Sequence, residues 1–326
     1  MRAITVEQGG PQPALHWEET AAPAPGPSQV LVAVSAAGVN RADLLQARGH
    51  YPPPPGASEI LGLEVAGVIE SCGSEVTGWK PGDRVCALIP GGGYAEKAVV
   101  DHRMLLALPG GWSFAEGAAA PEVWYTAFVN LFLEGNLQPG ETALIHAGAS
   151  GVGTAAIQQA RRAGARVFVT AGSEEKCSRC RQLGAELAIN HKHQDFLAEI
   201  QSATDTEGVD LILDPVGGAY LARNIRALRR FGRLVSIGLL GGATGELPMG
   251  LVLTRRLRII GSTLRSRPLA EQIEITRQFR ERIWPHLVSG DFRVVIDRTV
   301  PMPDAAEAHR CMLQNENVGK VILTLD

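Results

Sequence analysis

The sequence predicts an α/β fold, a doubly wound parallel sheet accompanied by a second, β-rich domain. Three observations carry that expectation. The chain has 326 residues, more than one core usually organises, so about two domains are expected. Hydrophobic residues make up 45% and charged residues 20%, the balance of a globular enzyme and not of a disordered or fibrous chain. Near Glu141 the texture changes from short β-rich runs between Gly and Pro clusters to apolar strands alternating with amphipathic helices, the pattern of βαβ units.

In the first third, strands are expected at 29–36 and 66–71, separated by clusters such as 23–27 and 52–55. The parallel sheet is expected from six runs, 142–146, 166–170, 187–189, 209–213, 233–237 and 257–260. Beyond Arg265 follow a helical stretch at 268–287, a strand near Val294, a helix at 304–314 and a strand at 320–325, which are expected to return to the first domain. No fixed-period repeat or long low-complexity segment interrupts this plan. The runs 257–260 and 320–325 are candidates for extending a sheet between subunits, and a homodimer or higher homo-oligomer is expected.

Partners and location follow from charge and cysteine usage. A formal net charge of −3 gives no overall attraction for phosphate backbones or anionic lipid, so neither nucleic acid nor membrane is an expected partner. No apolar run reaches spanning length, and the segment 1–10 lacks the layout of a secretory signal. Five cysteines, an odd number in a long chain, read as reduced thiols, and the expected location is cytoplasmic.

The most informative segment runs from Ala143 to Gly153, where an apolar strand meets a small-residue turn and then a helix starting near Val152. Such a turn lets backbone approach a pyrophosphate, and the helix amino terminus favours negative charge. The glycines Gly148, Gly151 and Gly153 do not follow the G-x-G-x-x-G spacing, so a merely structural turn is the competing reading. The second strand discriminates between cofactors. Where NAD enzymes place a carboxylate about 20 residues on, this chain has Thr170-Ala171-Gly172-Ser173. Ser173 can donate a hydrogen bond and Lys176 can supply positive charge, which favours NADPH; the alternative for Lys176 is an ordinary solvated helix lysine.

At this point the chain resembles a known family. Gly38-Val39-Asn40-Arg41-Ala42-Asp43, Pro54-Pro55-Gly56, Leu61-Gly62-Leu63-Glu64, Pro81-Gly82-Asp83, the run from His146 to Gly153, Leu183-Gly184-Ala185, Asp214-Pro215-Val216-Gly217-Gly218 and Leu264-Arg265-Ser266-Arg267 are similar to the quinone oxidoreductases of the medium-chain dehydrogenase/reductase superfamily. The likeness covers essentially the whole chain and is greatest to the tumour-suppressor-inducible NADPH branch. It implies a Rossmann-type cofactor domain over 123–265 and a β-rich GroES-like catalytic domain over 1–122, completed by 266–326, with the active site in the cleft between them. It also implies cofactor contacts from Ser150, Gly151, Val152, Gly172, Lys176, Gly217, Gly238 and Leu264, with Arg265 nearby. Where the branch has tyrosine after the third-strand asparagine, this chain has Asn190-His191; His191 either donates to phosphate, stacks, or is a surface histidine.

Zinc-dependent relatives use the metal to polarise the substrate oxygen. Here Ala37-Gly38-Val39-Asn40 stands where a ligand cysteine belongs, and Gly62-Leu63-Glu64 where Gly-His-Glu belongs. One C-x-x-C pair, Cys177 and Cys180, does not make a structural zinc lobe, and no metal is expected. Hydride addition to an electron-poor acceptor then needs alignment and hydrogen-bond donors more than a Lewis acid. Asn40 and Tyr51 are the candidate catalytic donors; the competing readings are that Asn40 caps the helix after it and Tyr51 packs in the Pro52–Pro55 loop. The expected activity is NADPH-dependent quinone reduction. Reduction of an activated carbon-carbon double bond is the enzymatic alternative. A cofactor-binding regulator, or RNA binding through the basic run 226–233, otherwise read as the solvated end of a helix, are the non-enzymatic ones.

Overall fold

The computed structural model describes residues 1–7 and 13–325, so residues 8–10 of the amino-terminal segment lie outside it. The chain divides into two compact units, Met1–Tyr125 with Arg265–Asp326, and Thr126–Leu264.

In the first unit β1 (Arg2–Glu7) and β2 (Ala14–Glu19) form an antiparallel ribbon. The spine of the main sheet is β3 (Gln29–Gly38), whose near-continuous apolar run is buried as expected of an interior strand. After α1 (Arg41–Ala47), β4 (Glu64–Cys72) runs antiparallel along one edge of β3, and β5 (Arg84–Leu88) extends the sheet beyond it. On the other edge β6 (Lys97–Asp101) covers only Gln29–Ala33, while β7 (Leu105–Ala107) lies outside β5. α2 (Phe114–Ala118) is capped by Ser113, whose hydroxyl accepts from Glu116 N–H, and α3 (Pro121–Phe128) starts in this unit, its last residues and the π-helical turn Val129–Glu134 after them being counted with the second.

The second unit alternates strand and helix: β8 (Thr142–Ile145), α4 (Gly151–Arg162), β9 (Arg166–Ala171), α5 (Glu174–Leu183), β10 (Leu187–Asn190), α6 (Phe196–Ala203), β11 (Val209–Asp214), α7 (Gly218–Ala227), β12 (Leu228–Ser236), α8 (Met249–Arg255) and β13 (Arg258–Gly261). The sheet order is β10-β9-β8-β11-β12-β13, every pair parallel, so the strand order reverses between β8 and β11. Ligands of such sheets bind outside the strands' carboxyl ends at that reversal. All six expected strands are present. β12 starts earlier than expected because the chain bulges: Val209 faces Leu228 while Leu211 faces Arg233, and Phe231 stands at φ 65°. The basic run therefore begins at the end of a helix, with Arg226 in the last turn of α7, and continues as strand through Arg229, Arg230 and Arg233. Arg229 pairs with Glu207 at 3.1 Å and Arg233 with Glu141 at 2.6 Å.

The chain then returns to the first unit. The expected helix 268–287 is two helices, α9 (Leu269–Arg282) and α10 (Trp284–Val288), because Pro285 has no N–H and its ring would meet the carbonyl four residues back. β14 (Ile296–Pro301), α11 (Ala305–Leu313) and β15 (Lys320–Thr324) follow. β15 sits between β14 and β3, covering the second half of the β3 edge that β6 leaves open. It is an interior strand and cannot extend a sheet between subunits; β13, by contrast, is an edge.

Candidate functional site

The second unit gathers most of the expected cofactor residues at the carboxyl ends of β8, β9 and β11. Ser150 caps α4, its hydroxyl accepting from Gly153 N–H at 3.0 Å. The glycines around it serve packing first. A Cβ at Gly148 would stand 2.7 Å from Val169, and one at Gly153 would stand 2.5 Å from the carbonyl oxygens of Ala147 and Gly148. That close approach leaves the helix start pressed on the turn. Among the described residues the N–H groups of Gly151 and Val152 meet no acceptor, so the helix start holds two donors for an anion.

At the end of β9, Gly172 lies against the ring of His191 and the side chain of Lys192, to which a Cβ would come within 3.5 and 3.7 Å. Burial first, then the Lys192 charge, lowers the His191 pKa, which favours its neutral form. Ser173 caps α5 by accepting from Lys176 N–H at 3.2 Å, and Glu174 is turned away into an ion pair with Arg181. The structure thus adds Lys192 to the expected set. Its only signal in the sequence was its place between two histidines. Gly217, at φ 80°, and Gly238 lie in two turns joined by backbone hydrogen bonds from Leu240 to Pro215 and from Gly241 to Val216. Leu264 is the last residue of this unit.

The first unit holds both expected donors. Asn40 is buried directly after β3, and its Nδ2 donates to Glu64 Oε1 at 2.8 Å and to Gly38 O at 3.3 Å. Its Oδ1 accepts from Lys320 Nζ at 2.6 Å. Both amide hydrogens are committed inside the unit, so donation to an acceptor would require one to be released. Asn40 is also the N-cap of α1, where Asp43 closes a capping box by accepting from Asn40 N–H at 2.7 Å. Tyr51 differs: among the described residues its hydroxyl meets no partner. The Arg265 guanidinium lies 5.4 Å from the Tyr51 ring centre. Arg265, expected beside the cofactor, belongs by its contacts to this unit, donating to Pro90 O at 2.7 Å, Gln46 Oε1 at 2.8 Å and Tyr51 O at 3.4 Å. Burial raises the Tyr51 pKa and Arg265 opposes it.

Comparison with known proteins fixes the family. Residues 26–110 match the alcohol dehydrogenase GroES-like domain and residues 151–280 the zinc-binding dehydrogenase family. The chain is 34% identical over 328 residues to a quinone oxidoreductase of Rattus norvegicus, spanning 100% of this chain and 98% of that one. The chain belongs to the medium-chain dehydrogenase/reductase superfamily. Quinone oxidoreductase of Escherichia coli, solved in complex with NADPH, superposes on this superfamily member with a TM-score of 0.89 at 28% identity, covering 99% of each chain. The CurK enoyl reductase does so at 0.88 and 29%, covering 100% of this chain and 99% of its own. The protein is an NAD(P)-dependent medium-chain oxidoreductase with the α/β fold expected, a Rossmann-like parallel sheet and a GroES-like β domain.

The name of the matching family raises the question of zinc, and the donor set of this superfamily member does not fit one. Leu63 is buried and offers no donor atom, and Glu64 is engaged by Asn40, Lys320 and Glu122 N–H. Among the described residues no three His, Cys, Asp or Glu side chains converge.

A second buried chain sits beside Asn40. Tyr94 donates to Asp43 Oδ2 at 3.1 Å, its hydroxyl lies 3.3 Å from His309 Nε2, and Asp43 Oδ1 accepts from Gly62 N–H. Burial pushes Asp43 up to about 6 and His309 down to about 4; His146 in the other unit is likewise lowered to about 4 by burial. A depressed histidine contributes stability above its unfolded pKa near 6.5, about 3 kcal/mol each, and that contribution is lost as pH falls through about 4. Asp43 works oppositely: its contribution is present below the unfolded value near 3.8 and lost as pH rises through about 6. Two histidines outweigh one carboxylate, so acidification from pH 7 towards pH 4 should lower the melting temperature. His309→Gln should shrink that drop; an unchanged drop would assign the acid loss to other groups.

Proposed function

We propose that this chain transfers hydride from NADPH to a quinone, without a metal, in the cytoplasm and as a homodimer. The carrying observation is the end of β9: Gly172 and Ser173 present no carboxylate toward a ribose, and Lys192 lies against Gly172 with Lys176 one turn into α5. A 2′-phosphate would find positive charge there, with Glu174 held away by Arg181. The Rattus norvegicus relative, named a quinone oxidoreductase, supports the acceptor class.

The unit with both chain ends serves in this reading as catalytic domain and the other as cofactor domain. Bound NADPH supplies the hydride. Ser150 sets the start of α4 so that Gly151 and Val152 N–H face the pyrophosphate, and the turns of Gly217 and Gly238, with Leu264, hold the rest of the dinucleotide. Tyr51 donates to the acceptor oxygen as negative charge develops, and Arg265 above its ring strengthens that donor. Asn40 acts through geometry, fixing the turn into α1. Water supplies the final proton. The likeness to CurK enoyl reductase favours one second reading, reduction of an activated carbon-carbon double bond by the same cofactor.

Among the described residues no helix is long and apolar enough to cross a membrane, and the five cysteines are unpaired, in keeping with a reducing compartment. For the dimer, β13 is an edge strand whose Ile259 is 44% exposed, and Leu253 of α8 is 78% exposed.

Cofactor absorbance followed with paired panels of quinones and enones, before and after chelation, tests the central reading. Quinone turnover that prefers NADPH and survives chelation is expected; turnover with enones alone would move the assignment to double-bond reduction. Lys176→Ala should weaken NADPH binding about tenfold and NADH little. Equal weakening of both cofactors would remove its phosphate role. Light scattering should give a dimer mass for the wild type and a monomer mass for Leu253→Glu with Ile259→Glu, and a wild-type monomer at micromolar concentration would end the dimer proposal.

A further inference from the structure

One buried polar chain in the second unit has no part in the function proposed above. His146, directly after β8, is enclosed edge-on by Phe196 and Tyr220, with ring centres 4.9 Å away in each case. Its Nδ1 lies 2.9 Å from Thr170 Oγ1 and its Nε2 lies 2.8 Å from Asn224 Oδ1. Asn224, on α7, donates through Nδ2 to Asp214 Oδ2 at 3.0 Å. Asp214 in turn accepts from Val216 N–H at 2.7 Å and from Gly217 N–H at 3.2 Å.

The polarity of this chain is fixed from one end. Asp214 accepts, so Asn224 turns its amide hydrogens toward it and its oxygen toward the ring. His146 therefore carries its proton on Nε2, and its bare Nδ1 receives the Thr170 hydroxyl. His146 and Asn224 each accept once and donate once, and moving the imidazole proton to Nδ1 would leave a bare Nε2 facing the Asn224 oxygen, acceptor against acceptor.

The backbone shows what the chain connects. Thr170 O accepts from Gly148 N–H at 2.8 Å, and His146 N–H donates to Leu213 O at 3.1 Å, so one end holds the turn before α4. At the other end Asp214 O accepts from Ile237 N–H, and the Pro215–Gly218 turn is bonded to residues 240–242. Three separate turns, at the ends of β8, β11 and β12, meet in one polar line across the point where strand order reverses.

We infer that His146 and Asn224 are positioning residues, which hold the Asp214 carboxylate against Val216 and Gly217 and so lock the Gly148 and Gly217 turns in one mutual geometry for the dinucleotide. The inference rests on the cofactor placement proposed above. Neither side chain touches the cofactor in this scheme; each acts on affinity through the turns.

The test is NADPH titration by fluorescence without acceptor, on the full chain, for the wild type, Asn224→Leu and Thr170→Val. Asn224→Leu should raise the Kd at least tenfold and Thr170→Val about threefold, with the change larger in the KM for NADPH than in kcat. A role in stability alone would lower the melting temperature and leave the Kd of the folded protein within twofold, which overturns the inference. Should Asn224→Leu not fold, Thr170→Val and the imidazole nitrogen shifts of wild-type His146 decide: the Nε2–H tautomer is expected, and the Nδ1–H tautomer would sink the chain. A wild type that binds neither NADPH nor NADH would overturn the cofactor placement, whereas wild-type binding matched by Asn224→Leu overturns the positioning role only.

Discussion

The ion pair of Glu64 with Lys320, 2.7 Å apart and buried, ties the first residues of β4 to the first residue of β15 and so makes one unit from the two ends of the chain. Burying two charges is costly, and the cost is offset only where every remaining site is satisfied. Here it is. Lys320 Nζ reaches Val39 O, Asn40 Oδ1 and Glu64 Oε1, and Glu64 also receives Asn40 Nδ2 and the Glu122 N–H that opens α3. Even Gly38 answers to it, because a Cβ there would collide with Glu64 Oε1. Losing either partner would strand a buried charge, on the order of 3–5 kcal/mol.

That cluster shows what the sequence left out about Asn40, namely its partners. An asparagine after a strand and before a helix has the right chemistry to donate, but its amide is engaged by residues 24 and 280 positions away, donating to Glu64 and accepting from Lys320. The same holds for Arg265. Its motif was visible, yet its allegiance to Pro90, Gln46 and Tyr51 comes from packing that no local pattern records.

Where interactions are local, the sequence was readable. The apolar runs of β8 to β11 are buried on both faces and fall within a residue or two of the expected limits, and Ser150 and Ser173 cap their helices through bonds three residues long. Pro285 was also legible as a break and was passed over in a long amphipathic stretch. The start of β12 was not, since its bulge is set by pairing with β11 across the sheet. The glycine turn shows a subtler limit. Gly148 and Gly153 are demanded by contacts to Val169 and to the turn's own carbonyls, so a phosphate-binding appearance arose from two requirements that share the same residue type.

The shared edge of β3 has a consequence for how the molecule is made. Half of that edge is covered by β6, available early, and half by β15, which lies at residues 320–324. The second unit is continuous in sequence and is complete once Leu264 has left the ribosome. The first unit must meanwhile wait, its strand edge half open and its Glu64 carboxylate without Lys320, until β15 has been synthesised as well.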